Sequence, residues 1–196
     1  MFVLVNGRKY PNGNLIFEVL DTDDLVSETV TAKELADLYK SVPDLKIKGV
    51  TFSTNDNRFR YAGNEYGSEY KKVSDDYGVV THRRNGGTAR VYYEVCLYKR
   101  GMSAPIYAFE TPESYYDYLN FSFRDLDGRY FVFDVNVVDK HYYGEDREEY
   151  LCCCTIVDIS DLSNVNVIRR DDRYTQVDYA DSWEYQDGKL EAYVRD

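Results

Sequence analysis

Residues 15–52, with the sequence LIFEVLDTDDLVSETVTAKELADLYKSVPDLKIKGVTF, carry the clearest local structure signals in this chain. Residues 15–20 and 26–30 have the apolar patterning of β-strands, and an acidic turn at residues 21–24 separates them. A helical pattern follows, beginning at Thr31, and then a further apolar segment at residues 45–52. The stretch therefore predicts two strands, a helix and another strand, with strand bounds at residues 15–20, 26–30 and 45–52.

The predicted helix has a defined start and a defined end. Thr31 and Glu34 have the spacing of a capping box, in which each side chain bonds to the backbone N–H of the other residue. Pro43 ends the helix because the residue before a proline avoids helical geometry. A single apolar helical face is expected, made of Leu35, Leu38, Tyr39 and Val42.

A second stretch, residues 92–135, follows a similar plan. Residues 93–96 (YEVC) echo residues 17–20 (FEVL), and residues 111–119 (TPESYYDYL) echo residues 31–39 (TAKELADLY). Proline is favoured at the first position of a helix, so Thr111-Pro112 predicts a second helix start. The echo indicates either an internal ββαβ duplication or a chance recurrence of common patterns.

The remaining segments are read mostly as short strands joined by Asn-Gly and Asp-Gly turns, including an N-terminal hairpin that turns at Asn6-Gly7. We therefore predict an α+β fold, with a mostly antiparallel β-sheet and two short capped helices. The predicted organisation is a first ββαβ unit at residues 1–55, a long Gly/Tyr-rich basic connection at 56–90, and a second unit with C-terminal strands at 91–196.

The net charge of −11 is unevenly distributed along the chain. Residues 101–196 carry nine Lys/Arg and 21 Asp/Glu, whereas residues 56–100 carry nine and six. An acidic region of this kind repels nucleic acid and anionic membranes, and it attracts basic protein surfaces. We therefore expect a basic protein partner, with no direct binding to nucleic acid and no membrane association.

Carboxylates interleaved with tyrosines in the C-terminal half could imitate the charge of a nucleic-acid backbone, if a partner offers Lys/Arg spaced for phosphates. The sequence predicts a partner-binding face there and no catalytic residue. The predicted members of this acidic face are Asp134, Asp139, Tyr142, Tyr143, Glu145, Asp146, Glu148, Glu149, Asp171, Asp172, Asp178 and Asp181.

Other candidates for chemistry are few. His82, Arg83 and Arg84 precede two glycines and form either an anion-binding turn or an ordinary basic turn. The acidic turn at residues 21–24 lacks the Gly and Glu that an EF-hand loop requires at its sixth and twelfth positions. The four cysteines lack metal-ligand spacing and are interpreted as small buried hydrophobic residues. No metal or cofactor is predicted.

Residues 17–26, 31–39 and 47–50 resemble the N-terminal segment of small acidic proteins carried by phages and mobile elements of gut bacteria. Some proteins of that setting inhibit host defence, including anti-CRISPR and anti-restriction proteins, and several are acidic mimics of nucleic acid. The resemblance implies an inhibitor of a defence enzyme. It includes no catalytic or binding motif, so no site residue is transferred from it.

The leading hypothesis is a non-enzymatic acidic binding protein that occupies the basic surface of a partner, such as a nucleic-acid-binding enzyme. One alternative is a hydrolase-like enzyme that uses an unrecognised carboxylate and histidine site. Another is a structural protein that oligomerises through exposed sheet edges. The sequence shows no signal peptide and no apolar run of membrane-spanning length, so a cytoplasmic location is expected.

Overall fold

The structure is a computed structural model of the chain. It describes residues 1–61, 68–87, 90–115, 119–126, 128–142, 147–175, 182–186 and 189–193. Within these ranges, the backbone alone is described at 86–87, 119–122, 136, 139–142, 147–150, 152–154, 168–175, 182–186 and 189–193.

The described chain is mostly β-structure, with a single α-helix. The helix is α1 (Ala32–Ser41). The strands are β1 (Phe2–Lys9), β2 (Leu15–Asp21), β3 (Val26–Thr31), β4 (Ile47–Lys48), β5 (Val50–Ser53), β6 (Arg58–Tyr61), β7 (Glu69–Lys72), β8 (Tyr77–Gly87), β9 (Arg90–Lys99), β10 (Tyr107–Glu110), β11 (Ser114–Tyr115), β12 (Leu119–Leu126), β13 (Tyr130–Tyr142), β14 (Arg147–Asp158), β15 (Asn166–Thr175), β16 (Ser182–Gln186) and β17 (Lys189–Tyr193).

The predicted α+β class with two helices is therefore wrong. Where the second helix was expected, Ser114 and Tyr115 form β11, which pairs with β9. Ser114 is fully buried, and its Oγ accepts a hydrogen bond from the backbone N–H of Val138 at 3.1 Å. The tyrosines and phenylalanines that follow favour strands, and here tertiary pairing overrides the local helix-start signal. Because the second segment lacks a helix at its described residues, the structure does not support the predicted ββαβ duplication.

The chain divides into two compact units, at positions different from the predicted boundaries. The first unit contains residues 1–84 and 93–109, and the second contains residues 85–92 and 110–196. The described parts of the expected connection at 56–90 are largely strands, namely β6, β7 and β8. Its glycines do not imply a loop throughout: Gly78 lies within β8, where a Cβ would come within 2.6 Å of the Tyr70 ring.

The first unit is organised around β1, a strand buried on both faces. Its six-stranded sheet has the order β3-β2-β1-β4-β5-β6. The predicted turn at Asn6-Gly7 is wrong, because β1 runs without interruption through both residues and pairs with β2 across a bulge. Asn6 is buried, and a Cβ at Gly7 would lie 2.7 Å from the Tyr61 ring. Asn6 and Gly7 therefore fit the tertiary packing of a strand and do not form a turn.

Two apolar layers cover the two faces of this sheet. On one face, residues from β1 and β2 pack against strands β8 and β9. On the other face they pack against α1. The first layer contains Val3, Val5, Leu20, Leu25, Val80, Cys96 and Tyr98, and the second contains Leu4, Phe17, Val19, Leu35, Ile47 and Val50. The first unit thus has three layers: helix, sheet and sheet.

Helix α1 confirms the predicted capping box. The Thr31 hydroxyl accepts from the N–H of Glu34 at 3.2 Å, and the Glu34 carboxylate accepts from the N–H of Thr31 at 2.8 Å. The predicted apolar face is only partly buried. Leu35 is buried and Tyr39 packs against the core, whereas Leu38 and Val42 are 43% and 41% exposed. The helix therefore leaves apolar surface uncovered.

The second unit contains an antiparallel sheet in the order β12-β13-β14-β15 and the two-stranded ribbon β16-β17. Strand β13 is one of the two inner strands of this sheet. In the structure Phe131, Val132 and Phe133 are all fully buried, so both faces of this strand are covered. In the described part of the chain, no helix has the length and apolar content that a membrane crossing requires.

Candidate functional site

The acidic face predicted from the sequence is described only in part. Among its members, Asp134 alone has a described side chain. The backbone places Asp139, Tyr142, Glu148, Glu149, Asp171 and Asp172 in strands β13, β14 and β15. Tyr143, Glu145, Asp146, Asp178 and Asp181 lie outside the described residues.

Two described carboxylates of the second unit, Asp134 and Asp158, are engaged within the unit. Asp134 is half-buried and pairs with Arg124 at 3.0 Å. Asp158 accepts hydrogen bonds from the hydroxyl and the N–H of Ser160, which lower its pKa, and it also pairs with Arg129 at 3.5 Å. These two carboxylates support the sheet and its turn, so they add little free negative charge.

The strand register also divides the predicted acidic face. Glu148 and Glu149 are consecutive positions of β14, and Asp171 and Asp172 are consecutive positions of β15. Consecutive positions of a strand belong to opposite faces of its sheet. One coherent face therefore cannot contain all four positions.

The predicted anion-binding turn is a strand. His82, Arg83 and Arg84 lie within β8, where the Arg84 guanidinium pairs with Glu94 at 2.7 Å. Burial, followed by the nearby charge of Arg84, lowers the pKa of His82, so the imidazole is neutral at pH 7. An anion on this side of β8 would meet the neutral His82 and the paired Arg84, while Arg83 belongs to the opposite face of the strand.

The thiol of Cys96, which lies near the charges of Glu94 and Arg84, is not activated. Cys96 is buried, and its burial raises the thiol pKa to about 11. Nucleophilic catalysis by cysteine requires the thiolate, which a raised pKa disfavours. The neighbouring Tyr98 hydroxyl also has a raised pKa because of burial. Together, these side chains stabilise the interior between the two sheets of the first unit.

The acidic turn at residues 21–24 holds the start of the chain. The amino group of Met1 lies 3.3 Å from a carboxylate oxygen of Asp21 and 2.9 Å from one of Asp23. The buried Thr22 donates its backbone N–H and its hydroxyl to the Met1 carbonyl. Among the described residues, no group of three or more His, Cys, Asp or Glu side chains could hold a metal ion.

The site with the most distinct geometry is a groove between α1 and β3 in the first unit. It encloses about 270 Å³, and its floor is formed by the buried residues Val19, Leu35 and Ile47. The remaining apolar lining residues are Phe2, Val26, Val30, Leu38 and Leu45, and the acidic ones are Asp21, Asp24 and Glu28. We call this feature the acidic groove.

The acidic groove exposes large apolar side chains at its rim. Val26 is 47% exposed, Leu38 is 43% exposed and Phe2 is 38% exposed. Clustered exposed apolar residues with a polar rim are typical of interaction surfaces. Helix α1 covers the sheet through Leu35 and Tyr39, while Leu38 of the same helix and Val26 of β3 stay more than 40% exposed.

The charge of the acidic groove is negative. Asp24 accepts a hydrogen bond from the N–H of Val26, and Glu28 is exposed on β3. In the described part of the chain, neither of these carboxylates takes part in an ion pair with Lys or Arg. The groove can therefore receive an apolar group that is flanked by a cation.

A second cavity, of about 530 Å³, lies on the other side of α1 and includes Lys46 and Lys48. Its aromatic lining residues are packed against each other: the rings of Tyr39 and Phe52 are 5.7 Å apart, and Tyr39 donates its hydroxyl to the Val50 carbonyl. This cavity contains fewer exposed aliphatic side chains, so the acidic groove is the stronger binding candidate.

Sequence reasoning missed the acidic groove. Val26, Val30 and Leu38 occupy strand and helix positions that the periodicity marks as apolar, and apolar periodic positions are normally read as core. A signal was nevertheless present, because Glu28 lies between Val26 and Val30 on the same side of a strand. A charge at the centre of an apolar strand face indicates that this face reaches solvent.

No protein-family model, curated protein or solved structure matches this chain.

Proposed function

We propose that this chain is a non-enzymatic binding protein whose acidic groove engages a basic protein partner. The observation that carries the proposal is the combination, in one groove, of exposed apolar side chains with two carboxylates that no Lys or Arg neutralises among the described residues. A partner that places an apolar side chain in the groove and a lysine or arginine at its rim would satisfy both features.

The two features contribute differently to binding. Full burial of an exposed Val or Leu side chain contributes about 1.5–3 kcal/mol, and Val26 and Leu38, at 47% and 43% exposed, have about half of that still to gain. An exposed ion pair contributes about 0.2–1 kcal/mol, and salt screens it. Val26 and Leu38 would therefore supply most of the affinity, while Asp24 and Glu28 would set the orientation and the preference for basic partners.

The partner class that fits is a protein that itself binds nucleic acid. Surfaces that bind phosphates display Lys and Arg, and a carboxylate-rimmed groove can compete for those groups. Inhibition of a host defence enzyme, as in the anti-CRISPR proteins of phages and mobile elements, is one form of such competition. It stays a prediction from the sequence resemblance.

The rival proposal of a carboxylate and histidine enzyme receives less support from the geometry. His82 is held neutral beside an arginine, and Asp134 is paired with Arg124. Neither residue lines the acidic groove. A catalytic site would require such groups to converge in one cleft.

The test is affinity capture from a lysate of cells that naturally contain this chain, with two matched helix variants. Leu38→Lys places a cation in the acidic groove. Val42→Lys places one at a position of nearly equal exposure that does not line the groove. We expect the wild type and Val42→Lys to retain the same basic protein at low salt, and Leu38→Lys to lose it.

Identical capture by all three proteins would contradict the proposal, as would a retained partner with an acidic contact surface. The salt dependence gives a second readout. The partner should elute from the wild type as salt rises, since the rim carboxylates are exposed and their interactions are screened.

A further inference from the structure

We propose that the acidic groove receives its partner as an extended strand that pairs with the free edge of β3. This proposal rests on the proposed function and specifies how the partner binds and which residue pattern it carries. In the described part of the chain, β3 ends the six-stranded sheet and pairs only with β2. The outer edge of such a strand presents unpaired N–H and C=O groups that can accept another strand.

The register of β3 shows which of its residues face the groove. Glu28 pairs with Val19 and Val30 pairs with Phe17, and both partners belong to the apolar layer under α1. Ser27 pairs with Leu20, which belongs to the layer on the opposite face. The groove side of β3 therefore consists of Val26, Glu28 and Val30.

Nothing in the composition of β3 blocks a further strand. It contains no proline, and its single charge, Glu28, lies on the groove side. Natural edge strands are commonly protected by lysine, proline or a bulge. Val26–Thr31 has no lysine, proline or bulge. Its one charge, Glu28, disfavours pairing with a neutral or acidic segment and favours a segment that places a cation opposite it.

The groove side defines the pattern of the incoming segment. Directly opposed residues on neighbouring strands share a face and interact through their side chains. Opposite Val26 and Val30 the segment would place apolar residues, and opposite Glu28 it would place a lysine or arginine. The expected segment is thus apolar-x-basic-x-apolar in an extended conformation. A basic amphipathic helix lying in the groove would instead repeat its contacts every three or four residues.

The experiment selects random 12-residue peptides on the immobilised full chain and sequences the enriched pool. A second selection uses Glu28→Lys, and a third uses Thr29→Lys. Thr29 is the exposed neighbour of Glu28 on the opposite face of β3 and does not line the groove. We expect the wild type and Thr29→Lys to enrich the full alternating pattern, and Glu28→Lys to lose the preference for a basic residue at the central position. For an individual peptide, Glu28→Lys should weaken binding by about threefold to tenfold, because an exposed opposite-charge pair would be replaced by a like-charge pair.

N-methylation of single amides in an enriched peptide then tests the backbone pairing. Only alternate amides of a paired strand face its neighbour. Methylation at every second position should therefore abolish binding, while methylation at the positions between should be tolerated.

The outcomes separate this inference from the proposed function. Enrichment of a pattern with helical spacing that is also lost in Glu28→Lys would overturn strand pairing and leave the groove as the binding site. Equal tolerance of N-methyl groups at all positions would do the same. If no peptide is enriched, or if enrichment is unaffected by Glu28→Lys, both proposals are wrong.

Discussion

At the scale of single residues, the turn that leads into β3 is held by the hydroxyl of Tyr70, which is partly buried. Leu25 adopts a left-handed backbone conformation with φ 59°, which costs a non-glycine residue roughly 1–2 kcal/mol. Burial of the Leu25 side chain offsets this cost, and the Tyr70 hydroxyl donates to the Leu25 carbonyl at 2.7 Å. Burial raises the pKa of Tyr70, so this donor stays protonated at neutral pH.

Tyr70→Phe should therefore lower the free energy of unfolding by about 1–3 kcal/mol, since the carbonyl of Leu25 would lose its donor in a partly buried site. Urea denaturation would measure the change. The control is Tyr10→Phe at an exposed tyrosine, for which we expect a change within about 0.5 kcal/mol. Equal stability of the Tyr70→Phe variant and the wild type would show that the hydroxyl does not support the turn.

At the scale of elements, β11 is where the sequence interpretation and the structure differ most clearly. A helix beginning at Thr111 would leave Ser114 in its first turn. The structure instead buries Ser114 and places its Oγ 3.1 Å from the backbone nitrogen of Val138. The two arrangements predict opposite effects for the same substitution.

Ser114→Ala should destabilise the chain by about 1–3 kcal/mol, because the N–H of Val138 would lose an acceptor in a buried position. In an exposed helix the same change would be neutral or stabilising, as alanine has the higher helix propensity. Chemical denaturation distinguishes the two, with Ser103→Ala at an exposed serine as the control. A stable Ser114→Ala variant would favour the helix.

The elements predicted well from the sequence are those with local signals. Strands β2 and β3 and the capped start of α1 follow from alternation and from the Thr31–Glu34 pair, which act over a few residues. The course of β1 through Asn6-Gly7 could not be predicted, because it depends on Tyr61, which is distant in sequence. Local turn chemistry was correct as a propensity and was overridden by tertiary packing.

At the scale of the whole molecule, net charge and the described geometry point to different candidate binding surfaces. The composition assigned that surface to residues 101–196, where acidic residues are most numerous. Composition does not reveal pairing, and in the structure Asp134 and Asp158 are paired with arginines. The acidic groove has fewer carboxylates, but they flank exposed apolar side chains, and the proposed function depends on that combination.

The position of the groove could be predicted only in part, because the sequence does not reveal which apolar positions become covered by packing. Sequence periodicity identified Val26, Val30 and Leu38 as apolar face positions. Whether these positions become core or exposed surface depends on how far α1 extends across the sheet, which is a property of packing. The sequence therefore contained the components of the site without indicating that they remain uncovered.

The central claim, that the acidic groove is the binding surface, is tested most directly by amide hydrogen exchange of the full chain with and without its captured basic partner. We predict that binding protects the amides of residues 19–38, which include β3, while residues 101–196 exchange at unchanged rates. Protection confined to residues 101–196, with β3 unaffected, would contradict the claim.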